Sequence, residues 1–301
     1  MKRILLSILM LLTLPVWSAE SCEQDAVGKS VCLDKPARRI ISLAPNITEL
    51  LFAAGAGNAI VGVDGHSDYP PAVSKIATIG GFPSISIEAL LALRPDLVVA
   101  WNGMNSPQLS EKIASLGIPI FHLNPATIPG VAASLRTLGR LAGTNTVANQ
   151  AADAFTSRYQ KLRGTYADRK KVTVFYEMWA SPLLTVGEPH LTSQLMAMCG
   201  GINIFSDLKK SVPAVDIESV LVRNPDVIIT RDNFGKKTEQ AKHWQSLNKL
   251  DVVGRQHIFS LPDQLISLPT PRILDGAELL CKAVDAVRKE LSTESTAKPS
   301  T

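Results

Sequence analysis

ISIEALLALRPDLVVA, from Ile85 to Ala100, is followed 130 residues later by VDIESVLVRNPDVIIT, from Val215 to Thr230. Most positions that differ between the two copies exchange one apolar residue for another. Similarity of this kind indicates that one structural unit occurs twice in the chain. Five pairs of positions are identical: Ile87 with Ile217, Glu88 with Glu218, Leu91 with Leu221, Pro95 with Pro225 and Asp96 with Asp226.

Each copy predicts a short helix followed by a buried strand. Ser86 and Asp216 are suited to cap the two helices, and each glutamate then lies in a first turn, where the helix dipole favours an acid. Leucines supply the buried face, a proline ends the helix, and an apolar run follows. The chain is therefore predicted to consist of two related halves.

Helices and strands alternate through both halves. Apolar runs separated by helical segments are typical of parallel sheets covered on both faces. We expect a helix capped by Asn46, with Glu49 completing a capping box, and irregular structure over residues 21–37. The predicted strands are RRIISLAP, IVGVD, LVVAW and IPIFHL in the first half and KVTVFYEMW, DVIIT and HIFSLP in the second.

The segment between the halves is helical in character. Its apolar residues over 146–167 recur at three- and four-residue steps, and a helix of that length would span about 33 Å. We therefore expect an α/β fold of two lobes with mostly parallel sheets flanked by helices, joined by one long backbone helix, with a cleft between the lobes. The expected divisions are residues 37–126 for the N-terminal lobe, 127–170 for the helical connector, 171–291 for the C-terminal lobe and 292–301 for a disordered tail.

Residues 1–19 are predicted to be a secretory signal peptide. Lys2 and Arg3 precede an apolar run over residues 4–16 that is too short to span a bilayer comfortably. An acidic residue, Glu20, lies close before Cys22 and disfavours a lipid anchor, which stays the alternative to a soluble exported protein.

All four cysteines follow the predicted signal peptide. An even number of cysteines in an exported chain indicates disulfides, and four cysteines allow three pairings. We prefer Cys22 with Cys32 and Cys199 with Cys281, because the first pair would close a small local loop. Buried free thiols are the alternative.

Composition excludes several function classes. Removal of Lys2 and Arg3 with the signal lowers the net charge from +4 to about +2, so no basic footprint for nucleic acid remains. The motifs of serine hydrolases, P-loop proteins, zinc proteases and dinucleotide-binding enzymes do not occur. His122, His190, His243 and His257 are scattered without metal-ligand spacing, so we expect no metal site and no catalysis.

Several stretches together resemble a known family. They are RIISLAPNITELLFAAG, VGVDGHSDYPP, ISIEALLALRPDLVVAW, MCGGINIF, DIESVLVRNPDVII and TPRILDGAELLC, in an order and spacing that are specific. The chain is similar to the periplasmic substrate-binding proteins of ABC importers for cobalamin, haem and iron-siderophores, and within them most to the cobalamin-binding members. The resemblance covers residues 39–287.

The resemblance implies a monomeric periplasmic carrier without a cofactor. It also implies that Glu88 and Glu218 dock onto arginine pockets of the dimeric permease in the inner membrane. From the residues alone, the preferred interpretation of these two glutamates is that they are acids that stabilise helix starts, and the resemblance reverses that preference.

Residues at the ends of strands are the candidates for ligand binding. A cobalamin-sized ligand needs a broad, largely apolar cleft with a few polar anchors. The aromatic candidates could pack on a macrocycle or belong to the lobe cores. The candidates are Pro45, Asn46, His66, Tyr69, Phe82, Trp101, Trp179, Arg231, Asp263 and Arg272.

The second lobe departs from the cobalamin-binding pattern. Val212 stands where those relatives have a cleft tryptophan, and Gln264 and Leu265 replace an aromatic pair. The resemblance implies a cobalamin or other corrinoid ligand, and these departures leave haem or a ferric siderophore as the alternative. His66 replaces a tyrosine and could coordinate cobalt or iron or donate a hydrogen bond.

Overall fold

Two parallel sheets contain the two copies of the repeated unit. The computed structural model describes residues 21–81, 84–102, 106–232, 244–246 and 251–297, so the predicted signal peptide, Phe82 and His243 lie outside the described residues. The strands of the first half are β1 (Ser21–Gln24), β2 (Ser30–Leu33), β3 (Ile40–Ser42), β4 (Ile60–Val63), β5 (Ala77–Thr78), β6 (Gly80–Gly81), β7 (Ser84–Ile85), β8 (Leu97–Trp101) and β9 (Ile120–Leu123). Its helices are α1 (Pro45–Ala53), α2 (Ile87–Ala92) and α3 (Pro107–Ser115), with short 3₁₀ turns over Gly57–Ala59 and Pro71–Lys75.

The second half begins after two connecting helices, α4 (Ile128–Ala142) and α5 (Asn145–Tyr166). Its strands are β10 (Val172–Glu177), β11 (Trp179–Ala180), β12 (Leu183–Leu184), β13 (Gly201–Asn203), β14 (Val227–Asp232) and β15 (Ile258–Pro262). Its helices are α6 (Leu191–Met198), α7 (Ile217–Arg223), α8 (Asp251–Gly254), α9 (Asp263–Ser267) and α10 (Ile273–Ala297). None of the helices within the described ranges combines the length and apolar character needed to cross a membrane.

The strand order places β3 and β10 inside their sheets. The first sheet has the order β5-β4-β3-β8-β9 and the second the order β13-β10-β14-β15, and every pairing within each is parallel. The fold class is thus confirmed: two mostly parallel sheets, flanked by helices, are joined by a helical connection that includes one long helix.

Both faces of each sheet are covered, which explains the continuous apolar runs. In β8, Leu97 and Val99 belong to the main core, whereas Val98 and Ala100 belong to a second cluster that holds Leu90 of α2. In the other half, Val220 of α7, the repeat equivalent of Leu90, is buried in a third cluster. The main core runs without interruption through α1, α4, α5, α6 and α10, so it joins the two halves.

The repeated aspartate fixes the same backbone contact in both halves. Asp96 accepts the backbone N–H groups of Arg38 and Arg39 at 2.8 and 2.9 Å, where β3 begins. Asp226 accepts the N–H of Thr173 at 2.8 Å, in the equivalent strand β10. A carboxylate with backbone donors at a strand start holds neighbouring strands in register.

The helix caps follow the sequence in the repeats but not in α1. Ser86 and Asp216 accept the N–H groups of Ala89 and Ser219, as predicted. Helix α1 instead begins at Pro45, two residues earlier than a cap at Asn46 would give, and its N-cap residue, Ala44, makes no side-chain cap. The predicted capping box is therefore wrong, because proline is suited to the first helical position and leaves Asn46 inside the helix.

Both ends of the chain are more regular than predicted. Residues 21–37, expected to be irregular, contain the hairpin β1–β2, in which Cys22 and Cys32 are opposite each other and form a disulfide. A second disulfide joins Cys199 to Cys281 and ties α6 to α10. Both disulfides confirm the pairing predicted from the sequence. Helix α10 continues to Ala297, so it extends into the segment predicted to be a disordered tail.

The N-terminal hairpin lies against the edge strand β9. The N–H of Ala26 donates to the carbonyl of His122 at 2.8 Å, and the imidazole of His122 lies 2.9 Å from the Asp25 carboxylate. Asp25 also accepts backbone N–H groups of the hairpin turn. Burial alone would raise the pKa of Asp25, but the hydrogen bonds from His122 and from the backbone lower it.

Candidate functional site

Contacts between the two halves bring the carboxyl ends of their strands together. Asp68, in the loop that follows β4, accepts a hydrogen bond from Gln264 of α9 at 3.2 Å. Glu49 of α1, the helix that follows β3, pairs with Arg272, which lies just before α10. Ligands of open parallel sheets bind outside the carboxyl ends of the strands, so a cleft at these facing edges is the candidate site.

Arg272 is the central cation of this junction. Its Nε donates to Glu49 Oε2 at 2.9 Å, its Nη2 donates to the other carboxylate oxygen, and the Glu49 side chain is almost fully buried. The guanidinium also stacks on Tyr69, with Cζ 3.7 Å from the ring centroid. The hydrogen bonds that Arg272 donates to Glu49 raise the pKa of Arg272. Two predicted ligand residues, Tyr69 and Arg272, are thus in contact across the junction.

A second cationic cluster lies at the carboxyl ends of β14 and β15. Arg231 Nη1 donates to Asp263 Oδ1 at 2.9 Å, and the guanidinium lies 5.7 Å from the ring centroid of Trp179. Burial, together with the charge of Asp263, raises the pKa of the neighbouring Tyr176 hydroxyl, which stays a neutral phenol. The structure therefore brings three predicted ligand residues of the second half together: Trp179, Arg231 and Asp263.

His66 lies on the same edge of the first sheet and is held by an aspartate. Its Nδ1 is 3.2 Å from Asp64 Oδ2, and Asp64 directly follows β4. The Ser67 hydroxyl donates to the other oxygen of Asp64 at 2.8 Å. The Asp64 side chain is 3% exposed, whereas that of His66 is 63% exposed. The imidazole is thus anchored on one side and open on the other.

Buried polar atoms near the junction lack partners. Both amide atoms of Asn46, the Oγ1 of Thr270 and the Nε of Arg231 find no hydrogen-bond partner within the described ranges. Asn46 is one helical turn before Glu49 on α1, and Thr270 lies two residues before Arg272. Buried polar groups are nearly always satisfied, so these atoms are available to water or to a ligand.

The remaining candidates lie at the ends of strands or helices. Trp101 ends β8 and packs against the main core, while Trp179 is 49% exposed and its indole N–H donates to the carbonyl of Ser181. Pro45 is half-buried at the start of α1. Phe82 lies outside the described residues. The described strand ends therefore carry polar anchors in both halves and two tryptophans.

The repeated glutamates are exposed in the first turns of α2 and α7. The hydrogen bond from the backbone of Glu88 and a second from the Ser86 hydroxyl lower the pKa of Glu88, so it is an anion at neutral pH. Glu218 has the equivalent place in α7. One turn along each helix an apolar side chain is exposed, Leu91 on α2 and Val222 on α7. Each helix thus presents an acid beside an apolar residue.

Sequence reasoning missed three residues of this site: Asp64, Glu49 and Thr270. Asp64 ends the predicted strand IVGVD, two residues before the predicted His66, and an acid at a strand end was the available signal. Glu49 was assigned to a helix cap, because its partner Arg272 lies 223 positions away and no local pattern connects them. No sequence pattern indicated that Thr270 belongs to the site.

The chain is similar in sequence to known proteins. A family model described as periplasmic binding protein matches residues 40–264. The vitamin B12-binding protein of Vibrio cholerae serotype O1 is 35% identical over 255 residues, which cover 85% of this chain and 92% of that protein.

Solved structures share the fold. The periplasmic vitamin B12 binding protein of Vibrio cholerae superposes with a TM-score of 0.77 at 35% identity, covering 84% of this chain and 99% of that one. The periplasmic heme-binding protein of Roseiflexus sp. RS-1 superposes with a TM-score of 0.74 at 22% identity, covering 84% and 99%. At that lower identity the likeness concerns the fold alone.

Proposed function

Since the chain belongs to the periplasmic binding protein family, we propose that it captures cobalamin, or a related corrinoid, in the cleft between its halves. It then delivers the ligand to an ABC importer of the inner membrane. It acts as a monomeric solute carrier in the periplasm after export by its signal peptide, and it catalyses no reaction.

The observation that supports this most directly is the 35% identity to a vitamin B12-binding protein over 92% of that protein's length. The cleft supplies a second argument. Corrinoids carry carboxamide side chains that both donate and accept hydrogen bonds. The unpartnered amide of Asn46 and hydroxyl of Thr270 can do the same, whereas haem carboxylates need donors alone.

The remaining residues have complementary roles in this proposal. Trp101 and Trp179, with Phe82, pack on the flat macrocycle, and Pro45 shapes the wall beside Asn46. Tyr69 and Arg272 border the cleft where the halves meet. Arg231, held by Asp263, offers its unpartnered Nε to a ligand oxygen.

The two glutamates form the docking surface of the proposal. Glu88 and Glu218 are exposed at equivalent places in two equivalent helices, so they suit a two-fold symmetric partner that presents one basic pocket to each. Neither contacts the cleft residues described above, so docking and ligand binding are separable.

Calorimetric titration of the exported protein with cobalamin, cobinamide and haem tests the ligand. We expect heat and quenching of tryptophan fluorescence with cobalamin, and neither with haem. Arg231→Gln should weaken cobalamin binding. Arg223→Gln is its matched control, because Arg223 forms a similar pair with Asp207, 2.8 Å between Nη1 and Oδ1, away from the cleft. Absence of any response to cobalamin would contradict the proposal.

A further inference from the structure

His66 differs from another aspartate-bound histidine in the accessibility of its ring. In His122 both ring nitrogens are engaged, Nδ1 by Asp25 and Nε2 by Ser110, each at 2.9 Å, and the side chain is 13% exposed. In His66 only Nδ1 is engaged, by Asp64, and the side chain is 63% exposed. Its Nε2 forms no hydrogen bond within the described part of the chain.

Two neighbours fix the direction of the His66 ring. The Asp64 carboxylate, itself held by Ser67, accepts a hydrogen bond from the Nδ1–H of His66, so the ring lone pair is on Nε2. Gly81 lies against the ring: a Cβ at that position would come within 2.9 Å of Nδ1. The imidazole thus presents its Nε2 lone pair in a direction set by these two neighbours.

His66 lies just before the loop residues that contact the other half. The residues directly after Ser67 are Asp68 and Tyr69, which contact Gln264 and Arg272 of the other half. An imidazole whose Nδ1–H is held by a carboxylate is the usual form of a metal-ligating histidine, because the carboxylate sets the tautomer and raises the basicity of Nε2.

One imidazole is insufficient for a free metal ion. The described residues contain no group of three or more His, Cys, Asp or Glu side chains that could hold one. A metal carried inside a macrocycle is different, because the ring supplies the equatorial donors and leaves an axial position. A single protein nitrogen suits that position.

We propose that His66 Nε2 is an axial ligand to the cobalt of the bound corrinoid. This rests on the proposed function and specifies the form of the ligand. In aquocobalamin the imidazole forms a cobalt–nitrogen bond, the cobalt–oxygen bond to water breaks, and water leaves without any change of oxidation state. In cyanocobalamin the cyanide occupies the same position and imidazole does not displace it. His66 therefore makes the protein selective for corrinoids with an exchangeable upper ligand.

The visible absorption of the corrin ring reports this exchange directly. We expect the bands of aquocobalamin to shift when it binds the protein and those of cyanocobalamin to stay unchanged. His66→Gln keeps an amide that can reach Asp64 but cannot replace the imidazole, so it should bind both corrinoids without a shift. Asp64→Asn should retain the shift and lower the affinity for aquocobalamin about tenfold.

His122→Gln is the matched control, because it removes an aspartate-bound imidazole that has no free nitrogen. It should leave the shift intact, with circular dichroism confirming the fold. Binding of aquocobalamin by the wild-type protein without a shift, or an equal shift in His66→Gln, contradicts cobalt ligation but not corrinoid binding. Failure to bind either corrinoid contradicts the proposed function and the ligation with it.

Discussion

Glu49 and Arg272 form an ion pair that joins the two halves, with Arg272 Nε 2.9 Å from Glu49 Oε2 and the carboxylate buried. Removing one partner of such a pair leaves an uncompensated buried charge, which costs more than the pair contributes. The pair therefore makes the relative placement of the halves sensitive to single substitutions.

Arg272→Gln should lower the free energy of unfolding by about 3 kcal/mol, measured by urea denaturation. Lys209→Gln is the control, since its pair with Glu188 is exposed and should contribute less than about 1 kcal/mol. The double variant Glu49→Gln with Arg272→Gln should lose less than the sum of the single losses. Strict additivity would show that the two side chains act independently.

The two disulfides should contribute unequally to stability. Cys199 and Cys281 are 82 positions apart, and Cys22 and Cys32 are 10 apart. Loop-closure entropy predicts a loss of about 4 kcal/mol when the long-range pair is replaced by serines and about 3 kcal/mol for the local pair. Guanidinium unfolding of the two double variants checks the order, and a larger loss from the local pair would contradict it.

Mild acid should destabilise the protein through His190. Burial lowers its pKa to about 4 from the ordinary value of 6.5. As the pH falls from 6.5 to 4, His190 binds a proton in the unfolded chain but not in the folded protein. The free energy of unfolding therefore falls across that window. His190→Asn retains an acceptor for the N–H of Thr192 and removes the titrating group.

Melting temperatures measured between pH 7 and pH 4 should therefore fall less steeply in His190→Asn than in the wild-type protein. Carboxylates such as Asp285 affect the free energy of unfolding at lower pH. Burial alone would raise the pKa of Asp285, but hydrogen bonds from Arg169 and Lys289 hold it at about 2. Its contribution is lost only below the ordinary value of 3.8. Equal slopes for the two proteins would exclude His190 as the source.

Replacing both Glu88 and Glu218 with alanine should strongly reduce transport and spare ligand binding. The loss of two charge pairs with the permease should lower uptake by about tenfold or more, whereas cobalamin affinity should stay within about twofold. Uptake of labelled cobalamin and calorimetry measure the two effects. Glu188→Ala serves as the control, because that acid is exposed but lies outside the repeated helices. Normal uptake by the double variant would contradict docking.

The repeat allowed the architecture to be predicted from the sequence. Its apolar strands, its caps at Ser86 and Asp216 and the long helix are local patterns, and each has a period or a signal residue. The hairpin within residues 21–37 was not predicted, because it depends on a disulfide and on contacts with β9 and its apolar alternation is limited to Val31 and Leu33.

Individual residues of the candidate site were predictable from the sequence, but the contacts between them were not. Strand ends located His66, Arg231 and Asp263, since parallel strands share a carboxyl edge. Which of them pair was not predictable, because Glu49 and Arg272 meet through the whole fold. Asn46 illustrates the same limit: its place suggested a cap, and the proline before it shifted the helix start.

The N-terminal hairpin has one more consequence. It occupies both backbone groups of His122, in the strand that would otherwise form a free sheet edge. Free sheet edges pair with strands of other molecules, so covering β9 with the hairpin protects the protein against self-association. An affinity tag is therefore better attached at the C-terminal end than next to the hairpin.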